Sequence, residues 1–95
     1  MLPIVWLPSA RRNLATIVAF IAQDNPAAAR SMKSLIEAAT LPLAEHPYLF
    51  RVGRVPGTRE VVAHPNYIVV YRVTATSIQV LRVLHARQQY PKHGA

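Results

Sequence analysis

Three consecutive strand-like segments, residues 58–64, 66–74 and 77 to about 85, are joined only by His64-Pro65 and Ala75-Thr76. Parallel neighbours need a crossover of a dozen or more residues, so connections this short force antiparallel pairing in chain order. A three-stranded meander follows, and the upstream half must pack against it. In the middle segment Tyr67, Val69, Tyr71 and Val73 alternate with Ile68, Val70 and Arg72. Apolar residues on both sides mark a central strand, with one face under a second layer and the other only partly exposed.

The upstream half can supply that layer. Residues 2–7, LPIVWL, read as a short first strand closed by Pro8. Ser9 is the expected N-cap of a helix running to about Gln23, with Leu14, Ile17, Val18 and Ile21 at helical spacing. Asn25 is the expected cap of a second helix, and Pro26 suits its first position, where the missing N–H costs nothing. Met32, Leu35, Ile36 and Ala39 repeat the helical spacing, so the two helices form a hairpin whose apolar faces cover one sheet. Pro42 either stops the second helix near Thr40 or kinks it on towards Glu45, and Pro47 ends it in both cases. A loop over residues 46–57 leads into the meander. The expected fold is α+β: an N-terminal strand, an α-helical hairpin, then the antiparallel meander, with the helices packed on one face of a four-stranded layer. A chain of 95 residues buries one core, so residues 1–95 form a single domain.

Eleven Lys and Arg face only Asp24, Glu37, Glu45 and Glu60, a formal net charge of +7. Arg51, Arg54, Arg59, Arg72, Arg82, Arg87 and Lys92 all follow residue 50, where Glu60 is the only acid. A field concentrated in this way attracts nucleic acid, acidic protein segments or anionic membrane, and favours a defined binding face over general solubility. The chain has no cysteine. That excludes disulfides, thiolate catalysis and sulfur-ligated zinc, and fits a reducing compartment, the cytoplasm. His46, His64, His85 and His93 lack the close pairing of a metal site, and Gly53, Gly57 and Gly94 form no phosphate-cradling loop. No cofactor or metal is expected. The apolar run at the N-terminus is interrupted by Pro3 and Pro8 and reads as neither a signal peptide nor a membrane span.

A tryptophan-bearing first strand, NPAAA at a helix start, GRVPGTREVV, NYIVVYRV and VLRVLHARQQYP occur in this order over nearly the whole chain. As an ordered set they resemble the toxins of the RelE/ParE superfamily of bacterial type II toxin–antitoxin modules. LPLAEHPYL and VAHPNYI, followed by YRV, put the resemblance closest to the ParE-like branch. The resemblance implies a toxin neutralised by a co-expressed antitoxin, whose C-terminal segment wraps it as helix and extended chain. It also implies one of two targets, since RelE-like members cut messenger RNA in the ribosome and ParE-like members poison DNA gyrase.

Metal-free RNA cleavage needs a base for the 2′-hydroxyl proton, an acid for the leaving oxygen and cations around the phosphorane. Arg51, Arg54, Arg59 and Arg87 are the available cations, with His64, His85, Glu60 and Tyr90 as proton carriers. By resemblance, a RelE-like nuclease carries a basic cluster before the meander, an arginine at the start of the middle strand, another after the last strand, and a tyrosine or histidine beyond it. Arg51 and Arg54 match the first, Arg87 the third and Tyr90 the last. The second is missing, because the middle strand begins Asn66-Tyr67-Ile68. Losing one such contact costs a transition state about 3–4 kcal/mol.

Plainer roles are open to the same residues. His64 suits a turn and His85 a hydrogen-bonded strand end. Arg72 and Arg82 can lay their stems over the sheet with their heads in water. Tyr90 can anchor the tail, and Trp6, Tyr67 and Tyr71 suit the core.

The expected function is therefore a non-enzymatic, ParE-like inhibitor of DNA gyrase, with Arg59, Arg82, Arg87 and Tyr90 meeting the target. A RelE-like, ribosome-dependent mRNA endonuclease using Arg51, Arg54, Arg59, His85, Arg87 and Tyr90 is the alternative. A small basic nucleic-acid-binding domain with a steep salt dependence ranks third. The expected partner of a toxin is an acidic, amphipathic antitoxin, with charge setting the encounter rate and apolar anchors the lifetime. Neither a membrane nor a small-molecule substrate is expected.

Overall fold

The meander forms as its short connections require. In the computed structural model, which describes residues 1–91, β3 (Arg59–His64), β4 (Tyr67–Val73) and β5 (Ile78–His85) pair antiparallel in chain order. Each strand starts one residue later than expected. Lys92, His93 and Gly94 lie outside the described residues. Upstream come β1 (Ile4–Trp6), α1 (Pro8–Ala22), α2 (Pro26–Ala38) and a 3-10 turn over Leu41–Ala44. The second helix thus stops before Thr40 and does not continue as a kinked α-helix. The Thr40 hydroxyl donates to the Glu37 carbonyl at 2.8 Å, and Pro42 sits in the first turn of the tighter helix that follows.

The sheet has five strands, not four, in the order β1-β5-β4-β3-β2. The added strand, β2 (Arg51–Val52), lies inside the expected 46–57 loop and pairs with Glu60 and Arg59. Two residues bounded by Gly53 carry no periodicity, which is why this strand is not visible as a pattern. β1 lies at the opposite edge, parallel to β5, with Ile4 opposite Ile78 and Trp6 opposite Val80.

Ser9 is not the cap of α1. Pro8 takes the first turn, and Leu7 stands in extended conformation before it with no side-chain bond. The Ser9 hydroxyl instead donates to the Leu81 carbonyl at 2.6 Å, and Asn13 Oδ1 accepts from the Val83 N–H at 3.1 Å. Beyond Trp6 the outer edge of β5 has no strand partner among the described residues, and α1 replaces it. Helix residues four apart are separated by about 6 Å. Alternate strand residues are about 6.6 Å apart, so the two side chains meet the strand in step. Asn25 caps α2 as expected, accepting from Ala28 N–H at 3.0 Å.

Helices and sheet bury Ala10, Leu14, Ile36, Leu43, Val61, Val69, Tyr71 and Val80 in one cluster. One irregularity decides what β5 shows on each side. Tyr71 pairs with Val80 and Val70 with Arg82, so Leu81 is an extra residue in β5. Ile78 and Val80 face the helices, and after this bulge so does Val83. Strict alternation from Ile78 would have turned Arg82 into the core. The bulge turns it to the face without helices.

Candidate functional site

On that helix-free face Arg51, Glu60, Val70 and Arg82 stand side by side in register across β2, β3, β4 and β5. Glu60 is the keystone, with its side chain only 1% exposed. Its Oε1 accepts from Arg51 Nη2 at 3.2 Å, and its Oε2 accepts from the Arg54 backbone N–H at 3.0 Å and from Arg54 Nε at 3.1 Å. Burial pushes this carboxyl up, but the hydrogen bonds from Arg54 and the charges of Arg54 and Arg51 outweigh it and hold the group below its ordinary value. Glu60 is therefore ionised at neutral pH and serves as an acceptor, not as a proton donor.

The loop between β2 and β3 is built to let Arg54 reach back. Gly53 N–H donates to Thr58 O at 2.8 Å, and a side chain at Gly53 would run into Thr58. Gly57 turns the chain with a φ of 81°, a value disfavoured for residues that carry a Cβ. After β5 the chain folds back over the same face. Ala86 N–H donates to Asn66 O at 2.8 Å, and the half-buried Tyr90 ring comes within 5.5 Å of the Arg54 guanidinium carbon. The middle of this face is more closed than expected, since Val70 is fully buried and Leu84 nearly so.

Arg51, Arg54 and Tyr90 are thus brought together around Glu60, with Arg82 in the same row. Arg82 is exposed and makes no ion pair among the described residues. Arg72 shares the face, its guanidinium on Gln79 Oε1 at 2.6 Å.

Arg59 and His85 lie elsewhere. Arg59 pairs with Tyr71 on the helix side. Its Nη1 donates to Phe50 O at 2.8 Å, and its guanidinium stacks 4.9 Å from the Tyr48 ring, bracing the segment before β2. Tyr71 ties down the same segment, its hydroxyl donating to Pro47 O at 3.1 Å. His85 sits at the end of β5 against Tyr67, on the helix side, with ring centroids 5.5 Å apart. Its Nδ1 accepts from Arg87 N–H at 3.1 Å, and His64 Nδ1 accepts from Asn66 N–H at 3.0 Å. Both imidazoles therefore hold turns, and Arg87 is exposed on the turn after β5.

What a reading of single residues missed is the role of Glu60, whose signal was available. It is the only acid after residue 50, and it sits one residue from Arg59, so the pleat sends the two to opposite faces.

The family model described as ParE toxin of type II toxin-antitoxin system, parDE, matches residues 4–90. The protein Y4kP of Sinorhizobium fredii is 41% identical over 88 residues, spanning 92% of this chain and 91% of that protein. Toxin RelE2 of Caulobacter vibrioides is 33% identical over 86 residues, 90% of this chain and 97% of that one. A solved chain of the chromosomal ParDE TA system from P. aeruginosa superposes with a TM-score of 0.78 at 24% identity, covering 90% of this chain and 96% of that one.

Proposed function

The chain belongs to the ParE toxin family of type II toxin–antitoxin systems, and from that premise we propose that it is a non-enzymatic inhibitor of DNA gyrase, silenced by a cognate acidic antitoxin. One observation carries the non-enzymatic part. The residues a nuclease would need are divided between the two faces of the sheet. Arg51, Arg54 and Tyr90 gather on the helix-free face, while His85 and Arg59 lie on the helix side, engaged in holding a turn and a loop. Beside the arginine cluster the sole carboxylate among the described residues is locked as an acceptor. With its carboxylate held as an acceptor, such a cluster is better suited to gripping an anion than to moving a proton.

The target surface in this reading is the helix-free face, where Arg82 and Tyr90 stand, together with Arg87 on the adjoining turn. Arg59 contributes by bracing the segment that carries the exposed Tyr48 and Leu49. The resemblance to RelE-named toxins keeps a ribosome-dependent ribonuclease as the second reading, with Arg87 and Tyr90 as its cation and proton carrier.

Purified chain added to gyrase should inhibit supercoiling or accumulate cleavage complexes. Induction in bacteria should raise a DNA-damage response with filamentation before translation falls. Codon-phased new 5′ ends on translated messages, appearing first, would replace this reading with the ribonuclease.

A further inference from the structure

The segment after β5 does more than cover the sheet. With Arg82 as one wall it borders a half-open cleft of about 330 Å³, lined by Arg82, Gln88, Gln89, Tyr90 and Pro91. That lies at the lower end of the range of ligand pockets. Among the described residues no carboxylate lines it. The nearest acid across the row, Glu60, is separated from Arg82 by Val70 and already saturated by Arg51 and Arg54. Among the described residues Arg82 has no ion pair, and the Tyr90 hydroxyl has no hydrogen bond. Gln88 spends its Oε1 on His85 N–H, which leaves its amide NH2 as the free end.

We propose that this cleft is an oxyanion site that takes a backbone phosphate of a nucleic acid strand. A guanidinium, an amide NH2 and a phenol are all hydrogen-bond donors, and they belong to two separate segments of the chain. A carboxylate offers its two oxygens in one plane, whereas a tetrahedral phosphate presents oxygens out of plane to donors arriving from two segments. The flanking Tyr90 ring and Pro91 add an apolar wall beside which a sugar or base can rest. The bulge at Leu81 makes the site possible, because without it Arg82 would not reach this face. The proposal deepens the target-surface reading above and takes its biological setting from it.

The test uses the full chain, labelled for NMR and titrated with inorganic phosphate, a short single-stranded oligonucleotide and a glutamate-rich peptide. Phosphate and oligonucleotide should saturate the Arg82 Nε–H and Gln88 side-chain signals before those of Arg72 and Arg87. Arg82→Gln should weaken oligonucleotide binding about tenfold and lower the slope of log affinity against log salt by about one, while Arg72→Gln should change the affinity far less. Unchanged core amide signals verify that Arg82→Gln is folded, and Gln88→Ala supplies a second variant with the same expected direction. Equal perturbation of all three arginines, unchanged affinity in Arg82→Gln, or stronger saturation by the glutamate peptide overturns the proposal. Gyrase inhibition in parallel separates the two readings. Phosphate binding without inhibition removes the gyrase target and keeps the pocket, and inhibition without phosphate binding does the reverse.

Discussion

Glu60 shows how one side chain can set the character of a surface. A buried carboxylate is tolerated here because its two oxygens receive three hydrogen bonds, two of them from guanidinium groups. Truncating it frees Arg51 and Arg54, which are exposed enough for water to take up their heads, so the cost comes mainly from the lost charge-assisted bonds. Glu60→Ala should destabilise the chain by roughly 2 kcal/mol in denaturant titration, and it should loosen the loop that carries Arg54. The pH dependence has a definite sign. The folded carboxyl titrates below its ordinary value of about 4.5, so Glu60 contributes stability that is present above that value and lost as pH falls through the lower, folded one. Urea midpoints between pH 7 and pH 3 should therefore fall more for the wild type than for Glu60→Gln; equal slopes would disprove the linkage. Tyr71→Phe, losing its bond to Pro47 O, should cost about 1 kcal/mol and mobilise residues 47–50.

At the scale of elements, the joint between α1 and β5 carries the sharpest expectation. Val83 is 3% exposed, and its N–H has Asn13 as its acceptor. Asn13→Ala leaves that donor unsatisfied inside the fold and should cost about 1–3 kcal/mol, more than Asn25→Ala, which removes an exposed cap worth about 1 kcal/mol. Reversal of that order would show that water reaches the joint. The same elements show what could be read in advance. The meander was legible because connections of so few residues leave no other pairing, and α2 because Asn25-Pro26 is a complete start signal. β2 was not, since two residues have no period. Ser9 misled because its hydroxyl, good for a cap, is equally good for a strand edge that only the tertiary fold brings near. The clustering of Arg51, Arg54 and Tyr90 depended on the chain folding back after β5, which no local pattern encodes, and Arg82 reaches the helix-free face only through a bulge that no run of apolar residues announces.

For the whole molecule, charge is divided unevenly. The first 50 residues hold four cations and three acids, whereas residues 51–91 hold six cations and one acid, and that acid is enclosed. An acidic antitoxin should therefore associate at a rate that falls steeply with ionic strength while its dissociation rate changes little, measurable by stopped-flow mixing from low to physiological salt. At about a hundredfold excess over its dissociation constant it should stabilise the toxin by about 2.7 kcal/mol, visible as a raised Tm. Similar salt effects on both rates would place charged contacts in the buried part of the interface instead. The extra residue in β5 has a longer reach than any of these contacts. It sets, in a single insertion, both which side chains fill the interior and which arginine greets the outside; flattening the strand at its present length would exchange the two, whereas dropping Leu81 itself would leave both in place. The strand therefore has one position, Leu81, where its length can shrink by a residue without turning its interior outwards.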